Sequence, residues 1–180
     1  MKTNIKFQNF YDFPDFDTLK DIVLYGGEKG KDKMQYQFYN FENEVETKSF
    51  NQVNYDLKGL GQHLFSKGIK NGQKVAILSE NSYYWIACFY SVITSTNVAI
   101  PLDPKLPFED LVELMVRSQC DAIYYSADFE EAVELMKKND GVVIREYIKI
   151  EDFYNVIEEG HKALESGVES YLNDTVKPED

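Results

Sequence analysis

Three polar turns carry the side chains that are best placed for chemistry in this sequence, and the first runs Ser79-Glu80-Asn81-Ser82. It offers a hydroxyl, a carboxylate, an amide and the N-terminus of a following helix, which together suit contact with a polar ligand or a neighbouring subdomain. The same residue types also cap buried helices, so N-capping is the alternative interpretation. The other two turns are Asp103–Lys105 and Ser126–Asp128.

The glycine-rich stretch from Gly26 to Asp32 is a second candidate, because glycine-rich loops bind phosphate. The Walker pattern requires a glycine where the sequence has Tyr25 and a serine or threonine where it has Asp32. We therefore predict a surface turn in this stretch.

Histidine and cysteine residues do not form a recognisable site. His63 and His161 share no metal-ligand spacing with each other or with a cysteine. Cys88 lies in an apolar helical stretch and Cys120 precedes a strand, so both are predicted to be small, buried hydrophobic residues. No catalytic, cofactor-binding or metal-binding residue is predicted in this chain.

The remaining reactive or aromatic residues favour structural roles. The acidic pairs Glu130-Glu131 and Glu158-Glu159 are typical of solvated helix faces. Tyr84 and Trp85 begin an apolar helix and are predicted to belong to the core rather than to a substrate platform.

The charge balance excludes some partners. The 180 residues include 31 acidic and 19 basic ones, for a net charge of −12. This charge repels phosphate backbones and anionic lipids, so nucleic acid and membrane surfaces are disfavoured. The N-terminus opens no apolar signal region, and no apolar run reaches the roughly 20 residues of a membrane span. We predict a single-domain, cytoplasmic chain without a membrane span.

The elements that must position the turns begin after an aromatic, acidic arm. This arm covers residues 1–20, and Leu19–Tyr25 at its end is predicted to form one or two helical turns. Gln35–Phe41 and Glu44–Phe50 alternate their side chains around Asn40–Asn43, which predicts an antiparallel hairpin or two strands at the edge of the sheet.

A long helix is predicted next. Ser49 and Gln52 fit a capping box at its start, and Gly68 fits the position just past its C-cap. Gly59 and Gly61 lie inside the helix, where they indicate close packing against a neighbour. A dinucleotide fingerprint would need a preceding strand and a third glycine.

Strands and helices then alternate as far as residue 159. The predicted strands are Lys74–Leu78, Val98–Leu102, Ala122–Ser126 and Val142–Ile148. The predicted helices are Tyr83–Ser95, one with Pro107 in its first turn, one capped by Asp128 with Glu131 and ended by Gly141, and Glu151–Glu159. This alternation is typical of an α/β fold with a mostly parallel, doubly wound sheet and flanking helices. From Gly160 onward the chain is predicted to be polar and loose.

These elements divide the chain into four parts. They are the arm at residues 1–34, the strand pair at 35–50, the α/β subdomain at 51–159 and the tail at 160–180.

Four short motifs carry a resemblance to a known family. They are Gly68-Ile69-Lys70-Asn71-Gly72-Gln73, Val75–Asn81, Asn81-Ser82-Tyr83-Tyr84-Trp85 and Ile100-Pro101-Leu102-Asp103-Pro104. Their series resembles the N-terminal subdomain of the adenylate-forming (AMP-binding) superfamily, with the greatest likeness to long-chain fatty-acid–CoA ligases. Gln73 departs from the family's usual acid, and Thr96-Asn97 from its usual Gly-Ala pair.

The resemblance implies an enzyme that activates a carboxylate with ATP and then transfers the acyl group to CoA. Lys177-Pro178-Glu179-Asp180 resembles the lead-in to the family's phosphate loop, so the chain is expected to be an N-terminal fragment that is inactive alone. ATP, Mg²⁺ and CoA are expected cofactors of the full-length parent only, and the rest of that enzyme and a fatty acid or other carboxylate are its expected partners.

Two alternatives remain open. The chain could be a stand-alone, non-catalytic interaction module with the same fold, or part of an acyl-adenylate enzyme that uses a carrier protein or an amine as acceptor. Separation of this chain from the rest of the parent enzyme is expected to expose an apolar surface that involves the aromatic arm at residues 7–16, so some self-association of the chain is predicted.

Overall fold

The computed structural model describes residues 14–177, and most of the predicted aromatic arm lies outside them. The helices of this range are α1 (Leu19–Gly30), α2 (Phe50–Ser66), α3 (Tyr83–Ile93), α4 (Phe108–Ser118), α5 (Glu130–Lys137) and α6 (Phe153–Glu165). Its strands are β1 (Met34–Tyr39), β2 (Val45–Ser49), β3 (Lys74–Leu78), β4 (Val98–Pro101), β5 (Ala122–Tyr125) and β6 (Glu146–Lys149).

Four strands form a parallel sheet in the order β4-β3-β5-β6. The apolar strand β5 and most of β3 are buried, as expected for parallel strands that are covered on both faces. Helices α2, α3 and α6 pack on one face, while α4 and α5 pack on the other. The predicted parallel, doubly wound sheet is therefore confirmed.

The connection around α5 differs from its prediction. Asp128 and Glu131 form no capping box, because Ala127–Phe129 makes a 3₁₀ turn before the helix and no side chain caps it. The helix also ends before Gly141, at Lys137. A turn around Asn139, whose side chain accepts the Gly141 N–H at 2.9 Å, takes up the intervening residues.

Strands β1 and β2 form the predicted antiparallel pair, separate from the main sheet. The side chain of Asn40 accepts backbone N–H groups within the connecting turn. The pair lies against the start of α3, where Phe38 stacks on Tyr83 with ring centroids 4.4 Å apart and Phe41 stacks on Tyr84 at 4.0 Å. Tyr84 is 3% exposed, so its predicted place in the core is confirmed.

Helix α1 is longer than predicted. Thr18 and Asp21 cap its start, and the helix continues through Gly26 to Gly30. The prediction of a surface turn at this stretch is wrong. A Cβ at Gly27 would lie 1.6 Å from Nδ2 of Asn54, so the missing side chain lets α1 approach α2 closely. Tertiary packing thus outweighs the low helix propensity of glycine.

Both predicted ends of α2 are confirmed. Ser49 Oγ accepts the Gln52 N–H at 3.3 Å, while Gln52 Oε1 accepts the Ser49 N–H at 2.8 Å. At the other end Gly68 takes a φ of +77°, and the Ile69 N–H donates to the Leu64 carbonyl at 2.9 Å. This is a Schellman ending, which needs the left-handed conformation that glycine adopts at little cost.

Helix α6 crosses α2 where both helices lack a side chain. A Cβ at Gly160 would lie 1.9 Å from the carbonyl oxygen of Gly59, and one at Gly59 would lie 2.7 Å from Ile157. The close packing predicted for Gly59 is confirmed. The predicted loss of structure from Gly160 onward is wrong, because α6 needs a glycine at this crossing and continues to Glu165.

The chain after α6 is also anchored. Tyr171 is 2% exposed and lies against Gly61, where a Cβ would approach its ring to 2.5 Å. Gly61 therefore also provides the close packing predicted for it, and the predicted loose tail is ordered by this contact.

The helix crossing gives a direct stability test. Replacing Gly160 with alanine is expected to destabilise the fold by about 1–3 kcal/mol, the usual cost of overpacking, because the new methyl group meets backbone. Chemical denaturation of the 180-residue chain measures this change.

The matched control is Gly26→Ala, also a glycine inside a helix. Its added Cβ would meet Phe50 at an ordinary 3.6 Å, so the free energy of unfolding should stay the same or rise by up to about 1 kcal/mol. Equal effects of the two substitutions would contradict the close crossing.

Candidate functional site

The three predicted turns lie at one edge of the sheet. Ser79–Ser82 follows β3, Asp103–Lys105 follows β4 and Ser126–Asp128 follows β5, and these three strands are parallel neighbours. The chain passes from β3 to β4 on one side and later to β5 on the other. Open α/β sheets bind ligands at such a switch point, outside the carboxyl ends of the strands.

In the central turn, Ser79–Ser82, both serine hydroxyls make local hydrogen bonds. Ser82 Oγ accepts the Trp85 N–H at 3.1 Å and so caps α3, which confirms the N-capping interpretation. The buried Ser79 hydroxyl donates to the Glu80 carbonyl at 3.0 Å. Glu80 and Asn81 are exposed at the sheet edge. Only these two side chains of the turn are presented outward.

The flanking turns contribute further polar atoms. Asp103 accepts the Lys105 N–H at 2.9 Å, which closes the turn after β4. The Ser126 N–H donates to the Leu78 carbonyl at 3.1 Å and ties the turn after β5 to the end of β3. Ser126 Oγ is buried without a hydrogen-bond partner among the described residues. This edge can serve as a polar wall, and it holds no nucleophile–base pair.

The two histidines make different contacts where α2 and α6 meet. His63 Nδ1 lies 3.3 Å from Glu159, and burial is the main cause that lowers the pKa of this histidine. His161 stacks on Tyr55 with ring centroids 3.8 Å apart. Across residues 14–177 no group of three or more His, Cys, Asp or Glu side chains is arranged to hold a metal ion.

Both cysteines are free and buried, which confirms their predicted role in the core. Burial raises the pKa of the Cys88 thiol and also that of Cys120. A raised pKa reduces the thiolate fraction on which nucleophilic attack depends. Neither cysteine is therefore suited to covalent catalysis.

One cluster of charged residues was not predicted from the sequence. Lys48 of β2 lies 3.2 Å from Asp56 of α2 and 3.3 Å from Glu46. Asp56 also accepts the Tyr83 hydroxyl at 2.6 Å, and both Lys48 and Asp56 are at least 90% buried. The available sequence signal is Asp56 itself, a carboxylate directly before Leu57 on the apolar face of α2.

A cavity of about 250 Å³ lies over this cluster, where β2, α2 and α6 meet. At its rim Tyr154 donates to Glu46 at 2.9 Å, and Tyr55 donates to Glu158 at 3.0 Å. Lys48 Nζ lies 4.9 Å from the ring centroid of Tyr154. The lysine charge is thus surrounded by carboxylates and an aromatic ring, and the cluster fastens the strand pair to the α/β layers.

The electrostatics of the cluster follow from its burial. Burial raises the pKa of Asp56, although the Tyr83 hydroxyl and the Lys48 ammonium both pull it downward. Burial and the neighbouring carboxylate raise the pKa of Tyr83, so that its hydroxyl remains a neutral donor. The cluster therefore fits a structural role, in which each charge has a partner.

Comparison with known proteins identifies the family. The family model described as "AMP-binding enzyme" matches residues 27–180, which include the sheet, α2 and all three turns. The chain belongs to the AMP-binding enzyme family. The series of motifs from Gly68 to Pro104, which predicted this membership, contains β3, α3, β4 and the turns that follow the two strands.

Curated relatives of this AMP-binding chain include CoA ligases. It is 30% identical over 89 residues to a 2-succinylbenzoate–CoA ligase of Bacillus cereus, covering 49% of this chain and 18% of that protein. It is 22% identical over 97 residues to a crotonobetaine/carnitine–CoA ligase of Escherichia fergusonii, covering 54% of this chain and 19% of that protein. The chain thus spans less than a fifth of the length of these relatives.

Solved structures share the fold. A fatty acyl CoA synthetase of Mycobacterium tuberculosis superposes with a TM-score of 0.69 at 16% identity, covering 79% of this chain and 28% of that one. An anthranilate CoA ligase in complex with anthranoyl-AMP gives a TM-score of 0.72 at 14% identity, covering 92% and 30%. None of the helices in residues 14–177 is long and apolar enough to cross a membrane.

The buried cluster of this AMP-binding chain gives a second stability test. Replacing Asp56 with alanine leaves Lys48 short of one carboxylate and Tyr83 without an acceptor. Loss of one partner of a buried ion pair costs about 3–5 kcal/mol, which urea denaturation can measure.

The control is Glu158→Gln at the exposed rim of the same cavity. Its expected effect is within about 1 kcal/mol, because exposed polar pairs contribute little. A loss below about 1 kcal/mol for the Asp56 variant would show that the cluster does not fasten the strand pair.

Proposed function

We propose that this chain supplies the N-terminal α/β subdomain of an ATP-dependent acyl–CoA ligase. The observation that carries the proposal is the family match over residues 27–180. In the proposed reaction a carboxylate oxygen attacks the α-phosphorus of ATP and pyrophosphate leaves. The CoA thiol then loses its proton and attacks the acyl carbon of the adenylate, forming the thioester and releasing AMP.

The proposed substrate is a fatty acid. Its support is the resemblance of Ser79-Glu80-Asn81 and Trp85 to the long-chain ligases, together with the shared fold of a fatty acyl CoA synthetase. The names of other relatives include 2-succinylbenzoate, crotonobetaine and anthranilate, so these carboxylates are the competing candidates.

The role proposed for the described residues is structural support of one wall of the site. Glu80 and Asn81 present polar atoms at the carboxyl edge of the sheet, where a ligand of such a fold binds. Among residues 14–177 no group of three or more His, Cys, Asp or Glu side chains is arranged to hold a metal ion. On the basis of the family match, ATP, Mg²⁺ and CoA are proposed to bind mainly through the rest of a longer parent enzyme, which is proposed to work in the cytoplasm.

The absence of a nucleophile–base pair at the described sheet edge also favours a second candidate, a non-catalytic interaction module with this fold. A third candidate shares the adenylation step and transfers the acyl group to a carrier protein or an amine. Self-association stays a prediction, and the exposed apolar residues Leu19 and Val98 provide a surface for it.

The test is a product assay on the intact gene product with Mg-ATP, CoA and palmitate. The expected result is AMP, pyrophosphate and palmitoyl-CoA in equal amounts. The three competing carboxylates are assayed in parallel, and hexadecanol is the matched control because it has the same chain without a carboxylate.

The outcomes separate the candidates. AMP formed only with another carboxylate would correct the substrate, while trapping of an acyl hydroxamate without thioester formation would favour another acceptor. A complete lack of AMP with every carboxylate would contradict the ligase proposal and favour the interaction module.

A further inference from the structure

The cavity where β2, α2 and α6 meet holds more negative than positive charge. Lys48 Nζ lies 3.2 Å from Asp56 and 3.3 Å from Glu46, and a third carboxylate, that of Glu158, lines the same cavity of about 250 Å³. Lys48 is the only cation among the described residues that line it. One ammonium group is therefore set against three carboxylates, and two negative charges in this part of the described chain lack a full compensating charge.

The other partners of these carboxylates are neutral hydroxyl groups. Each carboxylate accepts one tyrosine hydroxyl, in the pairs Tyr83–Asp56 at 2.6 Å, Tyr154–Glu46 at 2.9 Å and Tyr55–Glu158 at 3.0 Å. Burial is the main cause that raises the pKa of Tyr83 and that of Tyr154, and the bond to Glu158 is the main cause that raises the pKa of Tyr55. The hydroxyls therefore stay protonated, and each satisfies an acceptor without removing the negative charge.

Asp56 has one oxygen that no side chain uses. The residue is 4% exposed, and the Tyr83 hydroxyl and the Lys48 ammonium both contact its Oδ2. No side-chain hydrogen bond within the described part of the chain reaches Oδ1, and Asp56 lines the cavity. A carboxylate oxygen inside a protein is costly unless a donor reaches it. A cationic donor in the cavity would satisfy this oxygen and would also balance one of the uncompensated charges.

The rest of the lining suits an organic cation. Tyr55 is 45% exposed and stacks one face of its ring on His161 with centroids 3.8 Å apart, and Ile157 adds an apolar side chain. Aromatic rings attract ammonium groups, and an alkyl chain gains from contact with apolar side chains. Since no three acidic, histidine or cysteine side chains of residues 14–177 converge as metal ligands, an organic cation fits better than a metal ion. The volume lies below the roughly 300–1,000 Å³ of pockets for drug-sized ligands, so the ligand must be small.

We propose that this cavity binds a small alkylammonium ion. The ammonium group donates to Oδ1 of Asp56 at the floor and to Glu158 at the rim, and the alkyl part lies against Ile157 and the ring of Tyr55. Lys48 does not compete for this position, because its own ammonium group is already held by two carboxylates. The lining comes from β2, α2 and α6, so the bound ion connects the strand pair to both helices. The site goes beyond the proposed ligase function and does not depend on it.

Binding is tested by ligand-observed NMR with butylammonium chloride, on the intact gene product and on the 180-residue chain. Saturable binding at one site is expected for both. 1-Butanol has the same alkyl chain without a charge, and butyrate carries the opposite charge, so neither compound should bind saturably.

Glu158→Gln tests the location of the site. It removes one charge at the rim, while the amide oxygen can still accept the Tyr55 hydroxyl. The Kd for butylammonium should rise by about tenfold, the usual weight of a hydrogen bond to a charged group. The matched control is Glu113→Gln, which removes the same charge from an exposed position of α4, on the other face of the sheet. Its Kd should stay within about twofold of the wild type, because distant charges are screened. Circular dichroism checks that both variants are folded.

Each result decides the proposal. Binding of butylammonium alone, weakened by Glu158→Gln and not by Glu113→Gln, would support it. A lack of saturable binding to the intact gene product would overturn it, even if the 180-residue chain binds, because the cavity would then be covered by the rest of the parent enzyme. Equal binding of 1-butanol would indicate an apolar cavity without charge selection, and equal weakening by the two substitutions would indicate a general effect of net charge. Either of these two results would overturn the ion site, whereas a wild type without ligase activity would leave it unaffected.

Discussion

The crossing of α2 and α6 is the contact on which the other layers depend. The two helices meet at Gly59 and Gly160, where the Gly59 carbonyl occupies the space that a side chain of Gly160 would fill. Because the helices are this close, α2 is covered on one side while Leu57, Leu60 and Leu64 join the core that covers one face of the sheet. The same helix then binds the strand pair through Asp56 and the C-terminal segment through Gln62. One helix thus connects the strand pair, α6 and the C-terminal segment to one face of the sheet.

The sequence predicted the sheet well because parallel strands leave a strong local signal. Buried runs such as Lys74–Leu78 and Ala122–Tyr125 are short, apolar and separated by helical periodicity, so their type and order could be read directly. The glycine residues were less reliable as predictors of where helices end. Gly68 ends α2 as predicted, but Gly26 and Gly160 lie inside helices, since a glycine that allows close helix contact has the same local signature as one that ends a helix.

The turns at the candidate site could be located from the sequence, because the carboxyl ends of parallel strands share one edge. The fastening contacts could not. Lys48 and Asp56 are close in sequence, but one lies on β2 and the other on α2, so their ion pair depends on how the strand pair packs against the helices. Lys20 and Asp174 are separated by 154 positions, and neither residue has a local pattern that names the other. Such pairs depend on the tertiary fold and are seen only once it is known.

Fold and chemistry are therefore separate in this chain. The family match and the order of the strands account for an α/β subdomain with a polar edge. The described residues at that edge include no nucleophile–base pair, so the fold alone does not give the chemistry. Titration calorimetry of the 180-residue chain with Mg-ATP tests this central claim most directly. The account predicts no saturable heat up to millimolar nucleotide, because the groups that hold the phosphates are assigned to another part of the parent enzyme. Saturable binding with a stoichiometry of one would contradict it.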